Sequence, residues 1–257
     1  MKVKHSGNAG DIMYALPAIK KLWGRTGERV DLFIKLDVIG HYTKDMVHPL
    51  GKVMMNRKMY EYIKPLLLNI PYIGSVSIEQ GEAVDYDFDL FRKARLNTMA
   101  GNISRWYFYV YPELSCELND PTIRLPKDEG YESFKDVVVI NRSQRYHNPN
   151  LSYYCLNDIK QDVVFIGLEQ EFKELKMQIN NLEYEPTDDL LDAANIIRHS
   201  KLFIGNQSLM FAVAEQLKVK RVLELCDYCP NVIPTYNGVD CWFTENLEWH
   251  LNNLLYG

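Results

Sequence analysis

Apolar positions along this chain follow two alternating patterns. Short aliphatic runs give way to longer stretches in which apolar residues return at helical spacing. The runs predict strands at 3–5, 30–35, 73–78 and 87–91, then at 136–141, 162–166, 202–204 and 221–225. The longer stretches predict helices at 11–25, 54–68 and 102–111, then at 169–180, 188–199, 209–217 and 245–255. In the first helix Ile12, Ala15, Leu16, Ile19 and Leu22 share a face, and Pro17 predicts a kink or a late start. Val137-Val138-Val139-Ile140 reads as a strand covered on both sides. Such alternation argues for parallel sheets with right-handed crossovers. Between the two series, Pro112, Asn119-Asp120-Pro121 and Leu125-Pro126-Lys127-Asp128-Glu129-Gly130 break every period and read as a linker. The expected fold class is α/β: two Rossmann-like domains, 1–120 and 130–257, facing a central cleft that is the default site.

Composition narrows this picture without changing it. The 257 residues are 47% hydrophobic and 25% charged, proportions of a globular protein with one large or two small domains. No apolar run is long enough to span a bilayer. Lys2 and Lys4 lead into Gly, Asn and Asp instead of a secretory apolar region, so a cytoplasmic protein is expected. A net charge of -5 opposes a dedicated nucleic-acid binder. A basic strip with Lys52, Arg57, Lys58 and Lys64 keeps modified DNA open as a partner. The cluster Trp106-Tyr107-Phe108-Tyr109-Val110-Tyr111 is read as core or an interdomain face, against a binding surface. Five cysteines without an export signal argue against disulfides. Cys226-Asp227-Tyr228-Cys229 has metal or redox spacing but no second such pair, so structural cysteines and no metal are expected.

Three strand exits carry candidate chemistry. Gly7-Asn8-Ala9-Gly10-Asp11 follows the first strand. Its glycines allow a tight turn and close ligand approach, and Asp11 stands at the start of a helix. Asp11 either caps that helix or takes a proton from an acceptor hydroxyl; a phosphate beside it would bring like charges together. The dinucleotide fingerprint is absent, because the third glycine is missing and the acid comes too early. Asn141-Arg142-Ser143-Gln144-Arg145-Tyr146-His147-Asn148 leaves the first strand of the second series. Arg142 and Arg145, with Ser143, can grip phosphate oxygens, or they belong to a solvated loop. Gly205-Asn206-Gln207-Ser208 opens a helix whose N-terminus suits a phosphate, although Asn and Ser also cap helices without a ligand. Glu224 ends a strand and could hold ribose hydroxyls or face solvent, and Glu215 could face the cleft or solvent. His5, His41, His48 and His147 read as surface or core residues.

At these residues the chain resembles glycosyltransferase family 9, the heptosyltransferase-like family with the GT-B fold. Gly10-Asp11-Ile12 with Leu16-Pro17-Ala18-Ile19 is similar to its Gly-Asp and Pro-Ala motif. Phe165-Ile166-Gly167 with Glu169 and Glu171 is similar to its glycine-bearing strand exit. Asp189-Leu190, Ala193, Ile196-Ile197, Ser200, Phe203-Ile204-Gly205-Asn206-Gln207-Ser208 and Ala214-Glu215-Gln216-Leu217 are similar to its donor-binding block. The matches keep their order over most of the chain. The resemblance implies a nucleoside-diphosphate-sugar donor held by 130–257; Gly167 of the matched strand exit, and Glu224 on the ribose reading above, are expected at the nucleoside. It implies a glycan or other hydroxyl acceptor held by 1–120 near Gly7, Asn8 and Gly10. It implies inversion without a metal or other cofactor, with Asp11 as base. Asn206-Gln207-Ser208-Leu209 departs from the family's Asp-Ser or Asp-Thr, Gly and later His, so the resemblance does not name the donor. Two other readings stand beside transfer: a nucleotide-sugar epimerase or hydrolase, and a non-catalytic binding protein of the same fold.

Overall fold

The computed structural model describes residues 1–40, 51–126 and 128–257; His41, His48 and Lys127 lie outside the described residues. Strands β1 (Lys2–His5), β2 (Val30–Ile34), β3 (Ile73–Ile78) and β4 (Tyr86–Asp87) form a parallel sheet in the order β3-β2-β1-β4. Strands β5 (Val138–Asn141), β6 (Val163–Phe165), β7 (Leu182–Tyr184), β8 (Leu202–Asn206), β9 (Arg221–Glu224) and β10 (Gly238–Cys241) form a second parallel sheet, β10-β9-β8-β5-β6-β7. Counted from β5, that is the doubly wound order of dinucleotide-binding folds. In each sheet the winding direction reverses beside its first strand, between β1 and β4 and between β5 and β8. Crevices open at such reversals, at the carboxyl ends of the strands.

Helices α1 (Ala9–Thr26), α2 (Arg57–Leu68), α3 (Ile103–Val110), α4 (Glu169–Lys176), α5 (Leu190–His199), α6 (Leu209–Leu217) and α7 (Thr244–Tyr256) cover the sheets. The start of α1 is set by Asn8, whose backbone is extended and whose N–H is accepted by the Asp11 carboxylate. Its end is set by Gly27 at φ 73. The expected late start is absent, since α1 runs from Ala9 through Pro17.

Three elements differ from the sequence pattern. Residues 87–91 were expected to be extended, but only Tyr86–Asp87 is strand and Phe88–Lys93 is a 3-10 helix. Phe88 and Phe91 are both buried, and a three-residue repeat puts them on the same side. Strands β7 and β10 were not expected. Both are short edge strands, and Val239 is the lone β-branched residue of β10.

The core does not divide between the sheets. One cluster of buried side chains runs from Val3, Ile12 and Leu16 to Phe203, Phe211 and Leu223, because α1 packs on α6 and α2 on α5. A second cluster, with Val138, Phe165 and Leu251, lies between the other face of the second sheet and α7. Within the aromatic run Tyr107 is buried, whereas Tyr109 is exposed. The segment expected as a linker buries Leu114, Leu118, Ile123 and Leu125, and the N–H groups of Thr122 and Ile123 donate to Gln216 O. Among the described residues no helix is long and apolar enough to cross a membrane.

Candidate active site

The first crevice is built where β1 hands over to α1. His5 is fully buried there. Gly7 N–H donates to His5 Nδ1 at 2.9 Å, which leaves the ring proton on Nε2. That proton points to Tyr107 Oη at 2.8 Å, and Tyr107 in turn donates to the Asp11 carbonyl at 2.8 Å. Burial pushes His5 down to about 4; Asp89, Asp11 and Asp87 oppose the shift and Arg92 assists it. Gly7 is required by space. A Cβ there would collide with Arg92 Nη2 and stand 2.6 Å from His5 Cε1 and 2.7 Å from Asp11 Oδ2.

Asp11 Oδ2 accepts from Asn8 N–H at 3.1 Å and from Arg92 Nη2 at 3.3 Å. Oδ1 has no partner among the described residues, and the side chain is 16% exposed. The capping reading of Asp11 therefore holds for one oxygen and leaves the other available. Arg92 comes from the turn after β4. It stacks over the Phe91 ring at 4.6 Å and faces Asp89 at 3.6 Å, while Asp89 also accepts Ser6 N–H at 2.9 Å.

The second crevice has a different economy of hydrogen bonds. Arg142 binds Glu224 through Nε at 2.7 Å and Nη2 at 2.8 Å. Glu224 is fully buried and also accepts Asn148 N–H at 2.6 Å and Tyr153 Oη–H at 2.7 Å. One expectation is corrected here: Glu224 does not face solvent, and two nitrogens of Arg142 are turned inward to it. A carboxylate carried inward at the end of β9 needs every lone pair satisfied, and the arginine supplies two of those bonds.

The β8 exit likewise holds loops. Asn206 Oδ1 accepts from Ser143 N–H at 2.9 Å, and its Nδ2 donates to the Ser143 and Arg145 carbonyls. Gln207 donates to Cys229 O and Asn231 Oδ1 and accepts from Cys226 N–H. Ser208 Oγ accepts Phe211 N–H at 3.2 Å and caps α6. Gly205 is buried in β8, where a Cβ would lie 2.8 Å from Asn141 O. Gly167 lies two residues beyond β6 at φ 142, with a Cβ position 2.5 Å from Asn141 Nδ2.

Several expected residues stand apart from these crevices. Glu215 is buried against Lys218 and Arg221, so it faces neither cleft nor solvent. His147 Nε2 meets Ser143 O at 2.6 Å. In the basic strip Arg57 pairs with Glu61 and Lys64 lies over the Tyr60 ring. Cys226 and Cys229 are buried free thiols raised by burial, Cys229 to about 11. Among the described residues no three His, Cys, Asp or Glu side chains gather into a metal-holding group. A groove of about 260 Å³ lies further along α1 at Lys20, Arg25 and Cys116. Two of its cations donate to backbone carbonyls, Lys20 to Pro121 and Arg25 to Glu113.

The two crevices meet. A Cβ on Gly10 would lie 3.9 Å from Leu209 Cα and 4.0 Å from Ala212 Cβ, so the first turns of α1 and α6 touch. Tyr146, at φ 58 in the β5 exit loop, is raised to about 12, chiefly by burial. The Asp11 charge is among the further causes, which puts the two within electrostatic reach. Arg145 stacks on Tyr146 at 5.2 Å, and Tyr228 stands 6.3 Å away on its own loop. Arg92, Asp89, Tyr107 and Tyr146 were not anticipated from sequence; the paired acids Asp87 and Asp89 just before Arg92 were the one local signal.

No protein-family model matches the chain, and no curated protein does. Solved structures do. A glycosyl transferase family 9 protein from Veillonella parvula DSM 2008 has TM-score 0.62 at 11% identity, covering 93% of this chain and 86% of its own. E. coli ADP-heptose lps heptosyltransferase II has TM-score 0.64 at 15% identity, covering 99% and 98%. E. coli heptosyltransferase WaaC with ADP has TM-score 0.57 at 13% identity, covering 98% and 97%. At these identities the likeness establishes the architecture, and the chain has the α/β, GT-B-like fold expected from its sequence.

Proposed function

We propose that this chain is a glycosyltransferase that moves a sugar from a nucleoside-diphosphate sugar to an acceptor hydroxyl, with inversion and without a metal. The observation that carries the reading is the contact between the starts of α1 and α6, which sets a half-committed carboxylate beside a positive helix end. The acceptor lies on the Asp11 side, near Gly7, Asn8 and Gly10. The donor lies on the side of 142–148 and Ser208, and its diphosphate takes the amides of the first turn of α6 and the Arg145 guanidinium.

In the reaction the acceptor oxygen attacks the anomeric carbon from the face opposite the diphosphate. The new C–O bond forms as the bond to the diphosphate breaks, and the hydroxyl proton passes to Asp11 Oδ1. Charge grows on the departing diphosphate, where a fixed helix end and a guanidinium help most. The solved neighbours support this reading through fold, since two of them are heptosyltransferases and one was solved with ADP.

A thermal-shift panel of ADP, GDP, UDP and CDP with their sugar conjugates tests it. One family of ligands should stabilise the protein, by about 2.7 kcal/mol at a hundredfold excess over Kd. Nucleoside diphosphate should then be released in the presence of an acceptor, unaffected by EDTA. A panel with no stabilising member rejects the proposal, and loss of turnover in EDTA rejects its metal-free form. The internal commitment of Arg142, Asn206 and Gln207 favours one second reading, a nucleotide-binding protein without turnover. Stabilisation by a sugar nucleotide without release of diphosphate selects that reading.

A further inference from the structure

We propose that Arg92 is a positioning residue that selects which oxygen of Asp11 serves as the proton acceptor, and that Asp89 holds Arg92 in place; this rests on the transferase reading above. The Asp11 carboxylate has two unequal oxygens. Oδ2 is anchored by Asn8 N–H and Arg92 Nη2, and Oδ1 has no partner among the described residues. A backbone N–H alone would let the carboxylate rotate about its Cβ–Cγ bond and exchange its oxygens. The second anchor, from a different part of the chain, removes that freedom.

Arg92 is itself fixed from three sides. Its guanidinium lies over the Phe91 ring, Asp89 faces its Nε at 3.6 Å, and the missing side chain of Gly7 leaves the channel through which Nη2 reaches Asp11. Asp89 is fixed in turn by Ser6 N–H. The two acids and one guanidinium sum to a single negative charge. Nη2 is engaged by Asp11 and Nε faces Asp89, so two of the three guanidinium nitrogens are turned to these carboxylates. Two points of attachment preset the reacting atom, and a misplacement of about 1 Å costs on the order of 100-fold in rate.

The test uses the full-length protein, the sugar nucleotide chosen by the panel above, and amide exchange of Asn8 followed by NMR. Arg92→Ala should lower kcat about 100-fold with KM for the donor unchanged. Added guanidinium should restore part of the rate where ammonium does not. Arg92→Lys should fall in between, because a lysine has charge but no fork. Asp89→Asn should move in the same direction by less. The Asn8 amide should exchange faster in Arg92→Ala, because its acceptor is no longer held. Should Arg92→Ala fold poorly, Arg92→Lys and Asp89→Asn carry the same comparison. A loss confined to KM, or absence of guanidinium rescue, overturns the proposal. Should the wild type release diphosphate from no donor, the transferase reading falls, and an unchanged Asn8 amide in Arg92→Ala then overturns the anchoring by itself.

Discussion

The exits of β1 and β8 follow one local plan, a strand, a short polar turn and a helix, yet they spend their polar groups in opposite ways. At the first, Asn8 and Asp11 set the helix start with one carboxylate oxygen to spare. At the second, Asn206, Gln207 and Ser208 are used to hold 143–145, hold 226–231 and cap α6. A strand-to-helix junction therefore supplies a place for chemistry without deciding who performs it. That decision lies with the loops delivered to the junction. The turn after β4 brings a cation to the first, and β9 brings to the second a buried acid that consumes the nearest cation.

Four substitutions sharpen this contrast. Asp11→Asn should leave the helix cap in place, because an amide oxygen still accepts from Asn8, yet lower turnover by about 10³-fold or more, on the order of 4 kcal/mol in the barrier. Calorimetry should find donor affinity nearly intact, and unchanged turnover would remove Asp11 from the chemistry. Arg142→Ala should cost about 3–5 kcal/mol of stability in denaturant unfolding, because it strands a buried Glu224. If stability held and only nucleotide affinity fell, the arginine would be a ligand after all.

His5 probes the first junction through pH. Its folded value of about 4 lies below the ordinary value of 6.5, so the folded state favours the neutral ring. The unfolded state then binds more protons between those values. Stability is complete above about pH 6.5 and declines as pH falls toward about 4, by about 3 kcal/mol at most. His5→Asn should flatten that slope in melts taken across the window; an equal slope would assign it to other groups. The smallest effect is expected from Ser208→Ala, about 1 kcal/mol from a lost cap. A large loss of nucleotide binding with no loss of stability would show that Ser208 touches the donor.

Much of the architecture could be read in the sequence, because buried parallel strands and one-faced helices write their periods locally. Residues 137–140 and 202–204 are examples. The pattern failed where burial followed another repeat, as with Phe88 and Phe91, or where an edge strand needed little apolar content, as in β7 and β10. The site divides along the same line. Gly7, Gly10 and Asp11 are neighbours in sequence, so a motif can carry them. Arg92 meets Asp11 across 81 positions, Tyr107 meets His5 across 102, and Arg142 meets Glu224 across 82. Those meetings are products of sheet order, and no spacing rule announces them. The same distance explains the misreading of Glu224, since a strand-end acid looks exposed until its cation is known.

The unbroken cluster of buried side chains from Val3 to Leu223 bears on how the molecule comes apart. Two sheets suggest two melting units, yet α1 and α6 each complete the other's interior. A fragment ending near 120 would present the bare stripe of α1 to water, and its complement would do the same with α6. Heat should therefore dissolve both halves in a single calorimetric peak, and neither piece made alone should hold its shape.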